Sequence, residues 1–201
     1  MLGLTKKELG LLKRLKTPSD IQSFLNRLPF NFEKEGDTHY SPRMVLREKK
    51  AHCLEGALLA AAILWVNGEP PFIMDLKSGR GDDDHVVTLF RRRGYWGAIS
   101  KTNHAVLRFR DPVYKTPREL ALSYFHEWFL NKNGKKTLRS FSKPINLKKF
   151  GSAWITSEKH LFWLDKELNG LPHLPIAPKE NLKNLRLADP LEREAGKIIE
   201  W

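Results

Sequence analysis

The chain has 201 residues and one cysteine; 35 Lys and Arg against 23 Asp and Glu give a formal net charge of +12. That length supports one sizeable core with at most a small appendage, and 41 % hydrophobic residues with six Trp exclude global disorder. A lone cysteine excludes an intrachain disulfide framework and a multi-cysteine zinc site, and suits a reducing compartment.

The first residues, MLGLTKKELGLLKRLK, are rich in lysine and lack the apolar core of a signal peptide. The longest apolar run, Ala57 to Val66, is about half of what spans a bilayer. The expectation is a cytoplasmic protein without a membrane segment. Leu4 to Leu15 spaces its leucines as an amphipathic helix. Thr17-Pro18-Ser19-Asp20 breaks it and offers N-caps for a second helix, Ile21 to Leu28. An ordered loop follows from Pro29 to Ser41, then a helix opened by Pro42 with Met44, Val45 and Ala51 on its buried face. From Cys53 to Val66 the chain is apolar nearly all round, which predicts a buried central helix stopped by Asn67-Gly68.

The period then changes to two. Strands are expected over Phe72–Leu76, Val86–Phe90, Tyr95–Ile99 and Ala105–Phe109, with a Gly/Asp loop from Lys77 to Asp84 and a hairpin turn at Arg92-Arg93-Gly94. Thr116 and Pro117 open a helix read as running from Glu119 to Leu130. Farther on, a strand is expected near Ala153–Ile155 and a short helix from Ser157 to Leu168, among prolines at 144, 172, 175, 178 and 190. The class is α+β: N-terminal helices, a central buried helix packed on a mostly antiparallel sheet, then a Pro-rich C-terminal wrap. One domain is expected, with a helical extension over 1–41, a core over 42–130 and a basic, Pro-rich extension over 131–201.

The chemistry centres on Cys53 and His85. A helix N-terminus stabilises a thiolate through its unpaired N–H groups and macrodipole. An imidazole 32 residues later, at a strand start, can take the thiol proton and return it to a leaving group. The hairpin supplies a register test. A four-residue loop sums cross-strand partners to 185 and a two-residue loop to 187; either sets even-numbered residues of the second strand on the face of His85. The group that orients the imidazole is therefore expected within Ser100–Asn103, with Ser100 first and Asn103 as a Cys/His/Asn alternative.

The stretches Ala51-His-Cys-Leu-Glu-Gly-Ala-Leu-Leu-Ala-Ala, Asp84-His-Val-Val-Thr-Leu-Phe and Gly94-Tyr-Trp-Gly-Ala-Ile-Ser-Lys-Thr-Asn resemble the transglutaminase-like superfamily, whose core is papain-like. The resemblance covers roughly residues 42–115. It implies that Cys53 opens the central helix as nucleophile, that His85 is the base, and that the third residue follows Trp96 by four. That residue is Ser100 where the family has Asp, so the imidazolium lacks its carboxylate. Asp111-Pro112 carries the family's Asp-Pro dipeptide, and His104 rivals His85 as base, although too few residues separate it from Asp111 for a hairpin.

The implied activity is cysteine hydrolysis or acyl transfer on an amide, peptide or ester carbonyl, with no cofactor and no metal. His39, His52 and the run Asp82-Asp83-Asp84 lack metal-ligand spacing, and there is no phosphate-binding glycine loop. The rival reading is a non-catalytic basic domain that binds nucleic acid or an acidic protein. It draws on the seven Lys and Arg between Phe129 and Ser157, on Arg91-Arg92-Arg93, and on aromatics such as Tyr124 and Trp128.

Overall fold

The computed structural model describes residues 2–199. Four helices come first: α1 (Lys6–Arg14), α2 (Pro18–Asn26), α3 (Pro42–Glu48) and α4 (Cys53–Val66). Thr5 and Thr17 cap α1 and α2, each in a reciprocal box with the acid three residues on, Glu8 and Asp20. Lys49 stops α3 in the left-handed region, at φ 56°, so Ala51 lies outside the helix and bridges Phe30 instead. Helix α4 starts and ends where its apolar run does, and Asn67 caps it.

The sheet contains β1 (Phe72–Ser78), β2 (His85–Arg92), β3 (Tyr95–Ile99), β4 (Arg110–Tyr114), β5 (Leu138–Ser142), β6 (Ile145–Asn146) and β7 (His173–Pro175). Its order is β4-β3-β2-β1-β5-β7, with β6 also on β1, and every pairing is antiparallel. The α+β class holds. Short helices complete the chain: α5 (Pro117–Leu122), α6 (Ala153–Thr156), α7 (Phe162–Asn169), α8 (Lys179–Lys183) and α9 (Pro190–Gly196).

Helix α4 is apolar all round because it is covered all round. Leu54, Ala57, Leu58 and Ala61 pack with Ile73 and Val86 of the sheet. Leu59, Ala60, Ile63 and Leu64 pack with Leu12, Ile21 and Leu25 of α1 and α2. Leu58, Leu59, Ile63 and Leu64 are fully buried, each contributing about 2 kcal/mol of transfer free energy. The Thr88 hydroxyl donates to the Ala57 carbonyl at 2.6 Å and pins helix to sheet. Met74, Leu76, Val87, Leu89 and Ala98 form the opposite face, under Leu120, Tyr124, Trp128 and Ile176.

Several elements differ from their sequence expectation. Ala105–Phe109 is not a strand. Leu107 is left-handed at φ 60°, its N–H goes to the Glu127 carboxylate at 2.9 Å and its carbonyl accepts from Ser100 at 2.6 Å, so the strand, β4, begins only at Arg110. The helix expected to reach Leu130 ends at Leu122, where the Ser123 hydroxyl bonds back to the Leu120 carbonyl, and one 3-10 turn (Phe125–Glu127) follows. Ala153–Ile155 is helical, not extended: Gly151, at φ 71°, turns the chain and the buried Trp154 indole N–H bonds to its carbonyl at 3.0 Å. The boundary expected at 131 cuts through the sheet, because β5 and β6 pair with β1.

Candidate active site

The head of α4 is held by a buried carboxylate. Glu55, fully inaccessible, accepts from the Asn31 amide at 3.1 Å, the Thr38 hydroxyl at 2.7 Å, the Tyr40 N–H at 2.9 Å and the His52 N–H at 2.9 Å. The loop between α2 and α3 is thereby folded over the first turn of the helix. His52, the N-cap residue, is buried beneath that loop, and its Nε2 donates to the Thr38 carbonyl at 2.9 Å. A neutral ring so placed keeps its lone pair on Nδ1, which lies 4.0 Å from Cys53 Sγ.

Cys53 is the first residue of α4 and half-buried, its Sγ also 4.0 Å from the Asp84 carbonyl. Burial pushes its thiol up, but hydrogen bonds and charge from His52 and His85 outweigh that and hold it down at about 5. For His52 the balance runs the other way. Burial disfavours the imidazolium, yet the Cys53 thiolate, the Glu55 carboxylate and the Thr38 carbonyl raise the ring to about 9. The two directions together favour the thiolate–imidazolium form of the pair.

His85 opens β2 and lines the same cavity as the thiol. The hairpin turns on two residues, Arg93 (φ 49°) and Gly94 (φ 88°), and its partners sum to 187, as in Thr88 with Ile99. Extrapolated, that register sets Thr102 across from His85, but β3 ends at Ile99 and the next residue makes the contact: His85 Nε2 lies 2.8 Å from Ser100 Oγ. The Ser100 hydroxyl donates its single proton to the Leu107 carbonyl at 2.6 Å, so its oxygen accepts from His85 Nε2–H. That fixes the tautomer and leaves the lone pair on Nδ1. Trp128 covers the ring edge-on at 6.1 Å between centroids.

Ser100 is itself clamped. The Gln22 side chain on α2 accepts from the Ser100 N–H at 2.9 Å and donates to its carbonyl at 2.8 Å. Asn103 and His104 line the same cavity without a hydrogen bond to His85, and burial lowers the pKa of His104. Asp111 is exposed on β4 and outside the cavity, so the structure does not bring it to His85. Two contributors escaped the sequence reading. His52 stood only as a weak metal candidate, although its place beside Cys53 at an N-cap was a usable signal. Gln22 had no signal at all.

The cavity has a volume of about 430 Å³, with Cys53, His52 and His85 among its lining residues and Phe30 and Trp128 on its walls. Its charged lining is mainly acidic: Glu33, Asp82, Asp83, Asp84 and Glu127 against Lys101. The chain's positive charge therefore lies elsewhere; Lys132, Lys135, Lys143, Lys148 and Lys149 are exposed outside the cavity, whereas Lys136 is buried. The acidic loop is tied to the sheet. The Asp84 carboxylate accepts from Lys77 at 2.7 Å and from the Ser78 N–H at 2.8 Å, and Asp82 accepts from Thr137. Among the described residues no cluster of three His, Cys, Asp or Glu could hold a metal ion, and no helix is long and apolar enough to cross a membrane.

No protein-family model matches this chain, and no curated protein matches it in sequence.

Proposed function

We propose that this protein is a cysteine hydrolase or acyltransferase of transglutaminase-like type, acting on an amide, peptide or ester carbonyl. One observation carries the reading: a thiol on the first turn of a buried helix, with the His52 imidazole 4.0 Å from its sulfur and His85 lining the same open cavity. Cys53 as thiolate attacks the carbonyl carbon, and the unpaired N–H groups of the α4 first turn stabilise the oxyanion. Imidazole at its side protonates the departing amine and later activates the water that releases the acyl group. Ser100 keeps His85 in the working tautomer but brings no charge to it. Hydrolysis is favoured over transfer, because transfer needs a separate approach for the acceptor amine.

Tyr124 and Trp128 are buried, so the basic-domain reading keeps only the exposed Lys and Arg side chains. Alkylation decides between the two. At neutral pH iodoacetamide should modify Cys53 in the folded chain well ahead of the same thiol in the denatured chain. A native rate at or below the denatured rate overturns the enzymatic reading.

A further inference from the structure

The resemblance assigns the thiol's proton to the histidine on the strand, but the surroundings of the two imidazoles are unequal. His85 has a neutral hydroxyl at its Nε2 and the Trp128 ring against it. His52 has its Nδ1 at 4.0 Å from Cys53 Sγ, its Nε2 at 3.4 Å from Glu55 Oε1 and at 3.8 Å from Glu33 Oε1, and a carbonyl at 2.9 Å. The His39 ring, edge-on at 5.9 Å, is the other titratable group against it. An imidazolium at position 52 thus has the thiolate and two carboxylates within 4.0 Å of its ring nitrogens, whereas the polar contact of the His85 ring is the neutral Ser100 hydroxyl. Opposite charges at 3–4 Å in a buried place favour the charged form strongly.

We propose that His52 holds the proton of Cys53 and delivers it to the leaving group, that Glu55 is its positioning carboxylate, and that His85 is the base for deacylation. This rests on the cysteine-acyl reading above. The carboxylate absent from the Ser100 position is then present within the tetrapeptide His52-Cys53-Leu54-Glu55.

The protons balance over one cycle. The Cys53 thiolate forms the S–C bond while the carbonyl π pair moves to oxygen. The oxyanion collapses, the C–N bond breaks, and His52 Nδ1–H protonates the departing amine, leaving a thioester with both imidazoles neutral. Water then attacks the thioester carbon and gives a proton to His85 Nδ1. Collapse breaks the C–S bond and restores the thiolate, and the proton on His85 passes through solvent to His52 as the acid departs. No oxidant, metal or further reactant enters.

The experiment is the pH dependence of single-site iodoacetamide alkylation on the full chain, read by intact mass, for wild type, His52→Asn, His85→Asn and Glu55→Gln. Wild type should show an inflection near 5. His85→Asn should keep it within about half a unit, His52→Asn should raise it by about two units or more, and Glu55→Gln by about one. A structural role for Glu55 alone would lower the melting temperature without moving the inflection. Should Glu55→Gln or His52→Asn fail to fold, NMR titration of His52 in the wild-type chain replaces them, with a ring still protonated at pH 8 expected. A larger rise in His85→Asn than in His52→Asn, equal rises in both, or a His52 ring neutral at pH 8 overturns the proposal. A wild-type inflection in the ordinary thiol range, above about 8, instead removes the enzymatic reading beneath it. In a second arm, the acetyl-enzyme formed from p-nitrophenyl acetate should persist about tenfold longer or more in His85→Asn than in wild type. An unchanged lifetime overturns the role given to His85.

Discussion

Ser100→Ala tests the relay that sets the protonation of His85. The substitution removes one oxygen that accepts from His85 Nε2–H at 2.8 Å and donates to the Leu107 carbonyl at 2.6 Å. Ser100 is 2 % exposed and His85 6 %, so water reaches the vacated position poorly. Each stranded polar group costs about 1–3 kcal/mol, and relaxation of the half-buried Leu107 turn offsets part of the second, which leaves about 2 kcal/mol in all. For a chain of this size that lowers the melting temperature by about 4–8 °C. The tautomer is the sharper readout. In wild type, long-range 15N–1H correlation should show His85 with its proton on Nε2; in Ser100→Ala the ring should populate both tautomers. A melting temperature within about 1 °C of wild type, together with an unchanged Nε2–H ring, would refute the relay.

Three further outcomes follow from the geometry. In Cys53→Ser, His52 loses the strongest of the interactions that raise its pKa while Glu55 and Thr38 remain, so the value should fall below about 9 by NMR titration. Gly56→Ala would set a Cβ 2.4 Å from the Cβ of the buried Lys101, so the α4 head or the 100–103 segment must shift; the cost should be about 1–3 kcal/mol in urea unfolding. The Arg43 guanidinium grips Glu8 at 2.8 and 3.0 Å and lowers its carboxyl from 4.5 to about 2. Because the folded pKa is depressed, the pair stabilises above about 4.5 and its contribution is lost as the pH falls through 2. With solvent screening of a partly exposed pair it amounts to about 1 kcal/mol, so Glu8→Gln should melt lower than wild type at pH 7, and the gap should close as the pH falls below about 2.

The fold was readable where local rules and packing agree. The limits of α4 follow from its unbroken apolar run and Asn67-Gly68, and the Arg93-Gly94 turn fixes the hairpin. From that turn the contact between His85 and Ser100 could be narrowed to a four-residue window. The misreadings share a cause. At Leu107 side-chain partners from other elements, Glu127 and Ser100, replace the ladder, and at Ser123 the hydroxyl bonds back to Leu120 where the helix ends. Strands β5 and β7 lie in basic and Pro-rich stretches where alternation is weak, and the sheet recruits them by pairing. His52 was hidden for the same kind of reason. Its environment exists only once residues 31–41 fold back over α4 and bring Thr38 and Glu33 to its ring, and Gln22 reaches Ser100 across 78 positions.

The central claim is that Cys53 forms an acyl-enzyme in the folded chain. Intact-mass and peptide analysis after exposure to p-nitrophenyl acetate at pH 7 tests it most directly. The geometry predicts a transient acetyl group on Cys53, with a burst of about one nitrophenolate per chain, absent from Cys53→Ala and from the unfolded protein. Acetylation confined to lysines, or a Cys53 adduct no faster in the folded than in the unfolded chain, would contradict it.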